Sequence, residues 1–472
     1  MAEKSVQVVV VGAGPGGYVA AIRAAQLGKK VLVVERDQVG GVCLNVDCIP
    51  SKALIAASGL KKRIEHAGKL GLKIAGKVEV DLATLVGWKG SIVKQLTGGV
   101  SSLFKRHGIE TIAGDAKLAG PGRLEVKGKD GTTVVQYGDA ILATGSRPIE
   151  IPGFKFDEKE VWSSTGALAP ARIPKRLLVI GGGYIGLELG IFYSKIGSAV
   201  TVVEMLPSIL PGTESDCALV VSKSLAKRGI QVRTNAKALG YERKGGALAV
   251  TVEKDGQKEL FEVDQILSTV GRRPNSENLG LETVGIQPDP KGFIRVDGQR
   301  RTSAAHVYAI GDVAGQPMLA HKASREGLVA AAAIAGDKSA AFDPVGIPAV
   351  IFTDPEVASV GLTEPQAVEK GYTPVTGRFP FAASGRAMTR DDTDGFVKVV
   401  ADKKTDVVLG VHMVGPDVSE LIAEAGLALE MGATVEDLAS TIHAHPTLPE
   451  VVMEAAEAVH GMAVHIFQPK RA

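Results

Sequence analysis

The chain has 472 residues, with 54 basic and 52 acidic side chains (formal net charge +2), 57 glycines and only 4% aromatic residues. Its length accommodates about three domains with cores of their own, which excludes a small disulfide-stapled scaffold. No run of Lys and Arg is dense enough to track a phosphate backbone, which excludes nucleic acid as a partner.

The apolar stretch Val8 to Ile22 is interrupted by Gly12, Gly14, Gly16 and Gly17 and is shorter than the ~20 residues of a membrane span, so no membrane association is expected. Met1 to Val11 lacks the basic region, apolar region and small-residue cleavage site of a secretory leader. A cytoplasmic location is expected, or the mitochondrial matrix if a transit peptide has been removed. Val6 to Val11 reads as a strand that ends in Gly12-Ala13-Gly14-Pro15-Gly16-Gly17. Helical spacing follows over Tyr18 to Leu27, Gly28 stops it, and Val31 to Val34 leads to Glu35. Gly12, Gly14 and Gly17 suit a tight turn, room for a pyrophosphate, and close helix-to-strand contact, with Glu35 placed for a ribose hydroxyl.

Next come Cys43 and Cys48, ahead of a helical run from Ala53 to Leu60 that Pro50 opens. Cys48 is expected at the helix amino end, where the dipole favours thiolate. Two cysteines without further ligands nearby make a poor zinc site, so no metal is expected. The pair is a redox couple or, more plainly, two reduced structural cysteines.

Leu177 to Ile180 opens a second copy of the nucleotide motif, with Gly181, Gly183 and Gly186 in the turn, a helix to Ile196, a stop at Gly197, and Val200 to Val203 leading to Glu204. Gly12 and Gly181, Gly28 and Gly197, and Glu35 and Glu204 are each 169 residues apart. A shared offset of turn, stop and acid marks a repeat rather than two chance turns. Each copy closes on a similar return strand, Asp139 to Pro148 and Asp264 to Pro274, which include Thr144-Gly145 and Gly271. Cys217 reads as a small core residue. Beyond Gly311-Asp312, the character changes at about residue 347. Ile347 to Val360, Phe396 to Val400 and Val407 to Val414 read as strands, and Val418 to Glu430 as a helix with Leu421, Ala425, Ala428 and Leu429 on one face. A thiol reaction needs a proton acceptor, and His445, ahead of a helix opened by Pro449, is the candidate. His443 and His460 read as solvated or structural.

The run Gly40-Gly41-Val42-Cys43-Leu44-Asn45-Val46-Asp47-Cys48-Ile49-Pro50-Ser51-Lys52 resembles the redox-disulfide signature of the flavin-dependent pyridine-nucleotide disulfide oxidoreductases, most closely the members that oxidise dihydrolipoamide. Ala143-Thr144-Gly145, Tyr308 to Asp312 and His443 to Glu450 extend the resemblance over nearly the whole chain. Asp47 departs from it, since the family commonly has glycine before the second cysteine; a buried carboxylate there would oppose a thiolate on Cys48. The resemblance implies an α/β chain with two Rossmann-like domains and a carboxyl-terminal α+β dimerisation domain. Residues 1–148 would hold FAD, completed by about 277–346, residues 149–276 would hold NAD, and 347–472 would form the interface of a homodimer. FAD would meet Gly12, Gly14, Gly17, Glu35, Lys52, Thr144, Gly145, Gly311 and Asp312. NAD would meet Gly181, Gly183, Gly186, Glu204 and Gly271. Cys48 would face the flavin and Cys43 the substrate, Lys52 would pair with Glu188, and His445 would be the base oriented by Glu450. Implied partners are lipoylated acyltransferases or glycine-cleavage carrier proteins of 2-oxoacid dehydrogenase-type complexes. Glutathione reductase resembles the chain less, because no arginines follow Glu204, and mercuric reductase less, because no cysteine follows Cys217. A flavoprotein serving only as a binding subunit is the reading from a different class.

Overall fold

The computed structural model describes residues 2–469; Met1 and residues 470–472, the outer ends of the first and last expected domains, lie outside them. Two units make up the chain. The first comprises the residues up to Ile151 with Lys155–Arg172 and Val270–Asp343, and the second comprises Pro152–Phe154, Ile173–Thr269 and the residues from Pro344 onward.

In the first unit the strand Ala2–Val11 lies between parallel neighbours, with Val10 opposite Val33 of Val31–Glu35 and Ile141 of Gly131–Leu142. Val8, Val9 and Val10 are all fully buried, as expected of an unbroken valine run in a parallel sheet covered on both faces. Glu110–Ala113 and Val307–Ala309 add further parallel strands, and the strands Asp115–Leu118 and Arg123–Gly128 extend the sheet antiparallel. The helix Pro15–Gln26 packs on Ala320–Ile334 almost backbone to backbone: a Cβ added at Gly327 would stand 2.6 Å from the Gly16 carbonyl oxygen.

The second unit repeats the plan with parallel strands in the order Gln231–Arg233, Ala199–Val203, Arg176–Ile180 and Gln265–Ser268. An antiparallel sheet of Ala236–Lys244, Ala247–Lys254 and Gln257–Val263 follows. From residue 349 the chain builds a five-stranded antiparallel sheet in the order Ala349–Ile351, Glu356–Gly361, Val408–Gly415, Phe396–Asp402 and Pro374–Pro380. Leu421, Ala425 and Leu429 of the helix Val418–Met431, with Val451, Val452 and Ala455 of Glu450–Val459, share one core with Val397, Val399 and Val411 of that sheet. The single strand expected over Ile347 to Val360 is in fact two, broken at Phe352 to Pro355. Pro355 has no N–H to give a ladder, so pairing resumes only beyond it. The architecture is α/β, with two Rossmann-like nucleotide folds and a carboxyl-terminal α+β domain.

Candidate active site

The offset of 169 residues recurs atom by atom in the two nucleotide turns. Gly12 and Gly181 take φ of 102° and 105°, a left-handed conformation that suits glycine. The Gly12 N–H donates to Val34 O at 2.8 Å and the Gly181 N–H to Val203 O at 2.9 Å. A Cβ at Gly17 would lie 1.9 Å from Gly12 O and one at Gly186 would lie 2.3 Å from Gly181 O, so each helix is pressed against its own turn. Glu35 accepts from the Ala13 and Asp37 N–H groups at 2.7 and 2.8 Å, and Glu204 from those of Gly182 and Leu206 at 2.6 and 2.7 Å. Each carboxylate oxygen keeps a second lone pair for a ribose hydroxyl. Beside Gly14 a Cβ would find only Gly41 Cα, at 3.9 Å, and beside Gly183 nothing within 4 Å. Both helices start without a side-chain cap or an acid in the first turn, so the turns fit the pyrophosphate of a dinucleotide.

Other expected cofactor contacts gather around the first turn. Asn275 is bonded to Thr144 in both directions, donating to Thr144 O at 3.0 Å and accepting from Thr144 Oγ1 at its carbonyl at 2.7 Å, and its N–H donates to Gly145 O at 2.9 Å. Gly311 donates its N–H to the fully buried Glu326 at 2.6 Å, and Asp312 Oδ2 accepts from Ser146 Oγ at 2.5 Å. Gly271 O accepts from the Ile149 N–H at 3.0 Å.

The cysteines sit against this turn because Gly40 donates to Ala13 O at 2.8 Å and Gly41 meets Gly14 with no side chain between them. The helix is not the single one expected from Pro50. Cys43 lies in a short helix, Gly41–Val46, and Cys48 is the first residue of a longer one, Cys48–His66. Their thiols share a hydrogen bond that pulls Cys43 below the ordinary thiol range and pushes Cys48 well above it; burial and the Asp47 charge raise both, and Lys52 lowers both. The two thiols share one proton, so its loss belongs to the pair rather than to either sulfur, and Cys48 stands at the helix amino end where the sequence placed it. Glu188 is buried on the helix Tyr184–Ile196 and accepts from the Phe352 N–H at 2.8 Å. Lys52 belongs to the first unit and Glu188 to the second.

In the second unit His445 stands exposed, with Nδ1 2.8 Å from Glu450 Oε1, while Glu450 Oε2 accepts from the Thr447 N–H at 2.7 Å. Burial pushes Glu450 up, but the Thr447 N–H and His445 outweigh it and hold the carboxyl below its usual range. An ionised partner on Nδ1 selects the tautomer that leaves Nε2 as the acceptor. His443, by contrast, has both ring nitrogens occupied, by Glu424 at 2.7 Å and Thr441 O at 2.8 Å, and His460 pairs with Asp406 at 3.1 Å. Cys217 is fully buried, and burial raises its thiol to about 12, as a core residue requires. Reading the sequence alone missed Arg272, Ser146, Asn275 and Glu326 as supports of the site. The paired motifs Ser146-Arg147-Pro148 and Arg272-Arg273-Pro274, which form a two-stranded antiparallel ladder, were the available signal for the first two.

Two dinucleotide turns with a dithiol anchored on one of them define a nucleotide-dependent disulfide oxidoreductase. Residues 6–327 match the family described as pyridine nucleotide-disulphide oxidoreductase, and residues 347–456 match its dimerisation domain. The chain belongs to the pyridine nucleotide-disulphide oxidoreductases, a family that uses a flavin and a pyridine nucleotide. Dihydrolipoyl dehydrogenase of Geobacillus stearothermophilus is 51% identical over 460 residues, spanning 98% of this chain and 97% of that protein. The protein of the same name from Thermus scotoductus is 53% identical over 468 residues, spanning 98% and 99%. Among solved structures, LpdA from Mycobacterium tuberculosis superposes with a TM-score of 0.89 at 31% identity, covering 96% of this chain and 99% of that one. These relatives are bacterial, and they lend nothing to the mitochondrial alternative. Among the described residues no helix is long and apolar enough to cross a membrane.

Proposed function

We propose that the chain is a cytoplasmic, homodimeric dihydrolipoyl dehydrogenase that oxidises protein-bound dihydrolipoamide to lipoamide and reduces NAD+ to NADH. The observation that carries this reading is the anchoring of the Cys43 and Cys48 segment on the first nucleotide turn, through Gly40 to Ala13 O at 2.8 Å and the bare contact of Gly41 with Gly14. FAD would be held by Gly12, Gly14, Gly17, Glu35, Thr144, Gly145, Gly311 and Asp312, with Lys52 beside the flavin. NAD would be held by Gly181, Gly183, Gly186, Glu204 and Gly271. The domain limits at residues 148, 276 and 346 belong to the same proposal.

His445 Nε2 accepts the proton of a substrate thiol, and Glu450 stabilises the imidazolium that results. The substrate thiolate attacks Cys43 Sγ in the Cys43–Cys48 disulfide, a substrate–Cys43 bond forms, and Cys48 leaves as thiolate. The second substrate thiol then displaces Cys43, closing the lipoamide disulfide and leaving two electrons on the cysteine pair. Bound FAD supplies the passage of those electrons to the nicotinamide nucleotide. The likeness to relatives named dihydrolipoyl dehydrogenase supports lipoylated acyltransferases or glycine-cleavage carrier proteins as partners, and a pull-down with each lipoylated domain distinguishes them.

The test is dihydrolipoamide-dependent reduction of NAD+ by the purified flavoprotein, together with the long-wavelength thiolate-to-flavin band on two-electron reduction. Cys48→Ser should lose that band and keep its flavin. A band that survives in Cys48→Ser reverses the roles of the two sulfurs, and absence of turnover with dihydrolipoamide by the unmodified protein overturns the substrate.

A further inference from the structure

Asp47 occupies the single residue between the helices Gly41–Val46 and Cys48–His66, where it is the amino-terminal cap of the second. An aspartate at that position usually accepts from the first-turn N–H groups. Here the side chain makes no capping hydrogen bond; its carboxylate faces Arg272, with Oδ2 3.7 Å from Nη1. That separation is an ion pair rather than a hydrogen bond. The side chains are 19% and 8% exposed, which leaves the pair weakly screened by salt.

The guanidinium cannot swing away, because Nε donates to Ser146 Oγ at 2.8 Å and Nη2 to Ser146 O at 2.9 Å. Ser146 Oγ in turn donates to Asp312 Oδ2 at 2.5 Å. Arg272 and Ser146 belong to the short antiparallel ladder of Arg272–Pro274 with Ser146–Pro148. A continuous polar chain therefore runs from the residue beside Cys48 to the loop at Gly311-Asp312. Its geometry uses the planar fork of an arginine, with two N–H groups on Ser146 and the third arm toward Asp47.

We infer that Asp47 and Arg272 form a charge clamp on the cysteine turn: Asp47 opposes negative charge on the dithiol, Arg272 compensates Asp47, and Ser146 ties the clamp to Asp312. Both are positioning residues, since Arg272 acts through Asp47 and Asp47 acts on the cysteines by its field. The inference rests on the reading of Cys43 and Cys48 as the redox pair. The charged groups facing the two thiols are Asp47 and Asp312, which raise Cys43, and Lys52, which lowers it; Tyr18 feels both sulfurs and is raised mainly by burial. Forming a thiolate releases one proton and leaves one net negative charge among these groups. Removing the Asp47 charge favours that step, and removing Arg272 while Asp47 stays disfavours it.

The experiment is a pH titration of the thiolate-to-flavin band in the two-electron-reduced holoenzyme, for the unmodified protein, Asp47→Asn, Arg272→Gln, Arg272→Lys and the double variant Asp47→Asn/Arg272→Gln. Asp47→Asn should move the midpoint to lower pH by about half a unit or more, and Arg272→Gln should move it to higher pH by a similar amount. Arg272→Lys should lie between Arg272→Gln and the unmodified protein. In the double variant the effect of losing Arg272 should vanish, because no acid is left uncovered. The clamp is wrong if Arg272→Gln shifts the midpoint equally with and without Asp47, or if Asp47→Asn leaves it in place. Iodoacetamide alkylation of the reduced cysteines against pH gives the same comparison for any variant that loses flavin. Should the unmodified protein fail to reduce NAD+ with dihydrolipoamide while this ordering holds, the substrate reading falls and the clamp stands.

Discussion

Two glycines four residues apart on the helix Tyr184–Ile196 offer a controlled test of what holds the second nucleotide turn together. Both Gly186 and Gly190 are buried and helical, so alanine at either position should gain up to about 1 kcal/mol of helix propensity. Their surroundings differ. A Cβ at Gly190 would meet Val200 Cγ1 at 3.5 Å and Val179 Cγ2 at 3.7 Å, ordinary contact with side-chain methyls. At Gly186 it would lie 2.3 Å from Gly181 O and 2.5 Å from Thr269 Oγ1, where 3.0 Å is the least a Cβ accepts. The helix or the turn must therefore shift by about 0.7 Å, against the Gly181 N–H to Val203 O bond at 2.9 Å and the Thr269 N–H to Ile180 O bond at 2.8 Å. Overpacking of this kind costs roughly 1–3 kcal/mol, and each weakened hydrogen bond about 1 kcal/mol more. Gly186→Ala should thus be destabilised by about 2–4 kcal/mol, while Gly190→Ala should be neutral or slightly stabilised. For a unit of this size the gap corresponds to a difference in unfolding midpoint on the order of 10 °C. Thermal unfolding followed by circular dichroism and NADH binding followed by fluorescence measure both consequences, with NADH affinity falling at least about tenfold only in Gly186→Ala. If Gly186→Ala unfolds and binds NADH like the unmodified protein, close approach of helix to turn is not what the glycine provides; if Gly190→Ala falls equally, the contacts at Gly181 and Thr269 are not the determinant.

Nucleotide choice follows from Glu204, whose oxygens are already fixed by Gly182 and Leu206: NAD should be preferred to NADP because a 2′-phosphate would meet this carboxylate, and Glu204→Gln should narrow the ratio of kcat/KM values by about tenfold. Equal use of both nucleotides by the unmodified enzyme removes that role. Burial, aided by Asp354, pushes Asp392 up to about 6, so its folded form favours the proton and its contribution to stability is lost as pH rises from the ordinary carboxylate value of ~3.9 through that value. Asp392→Asn should flatten the unfolding midpoint across this window, and an unchanged profile would show that Asp392 does not titrate there. Finally, if His445 and Glu450 of one protomer serve the cysteines of the other, Cys43→Ser and His445→Gln homodimers should each be nearly inactive. Reassorting them together should restore about a quarter of the sites; heterodimers proven by mass spectrometry but without activity would exclude the shared site.

What could be read from the sequence depended on whether the determinants were local. The repeat was legible because the turn, helix stop and acid of each copy lie close together in the chain, from Gly12 to Glu35 and from Gly181 to Glu204. His445 and Glu450 lie five residues apart across the start of a helix, and the pairing that the resemblance implied is present, with Nδ1 on the carboxylate. The break at Phe352 to Pro355 was missed although Asp354-Pro355 interrupts the apolar run and marks a turn, because the β-rich residues on both sides were taken as one strand. The proton shared by the two thiols was hidden for a related reason. A helix amino end can be inferred from Pro50, but the proton that Cys43 and Cys48 share depends on a second short helix, Gly41–Val46, which the glycines at its start disguise as a loop. Asp47 is the sharpest case. Beside Cys48 in the sequence it stands as an unbalanced negative charge, yet its partner Arg272 is 225 residues away and is held there by a ladder to Ser146. The electrostatics of a redox pair are therefore tuned by whichever distant strand the fold brings alongside, and the size of a charge substitution's effect at position 47 depends on the residue at 272.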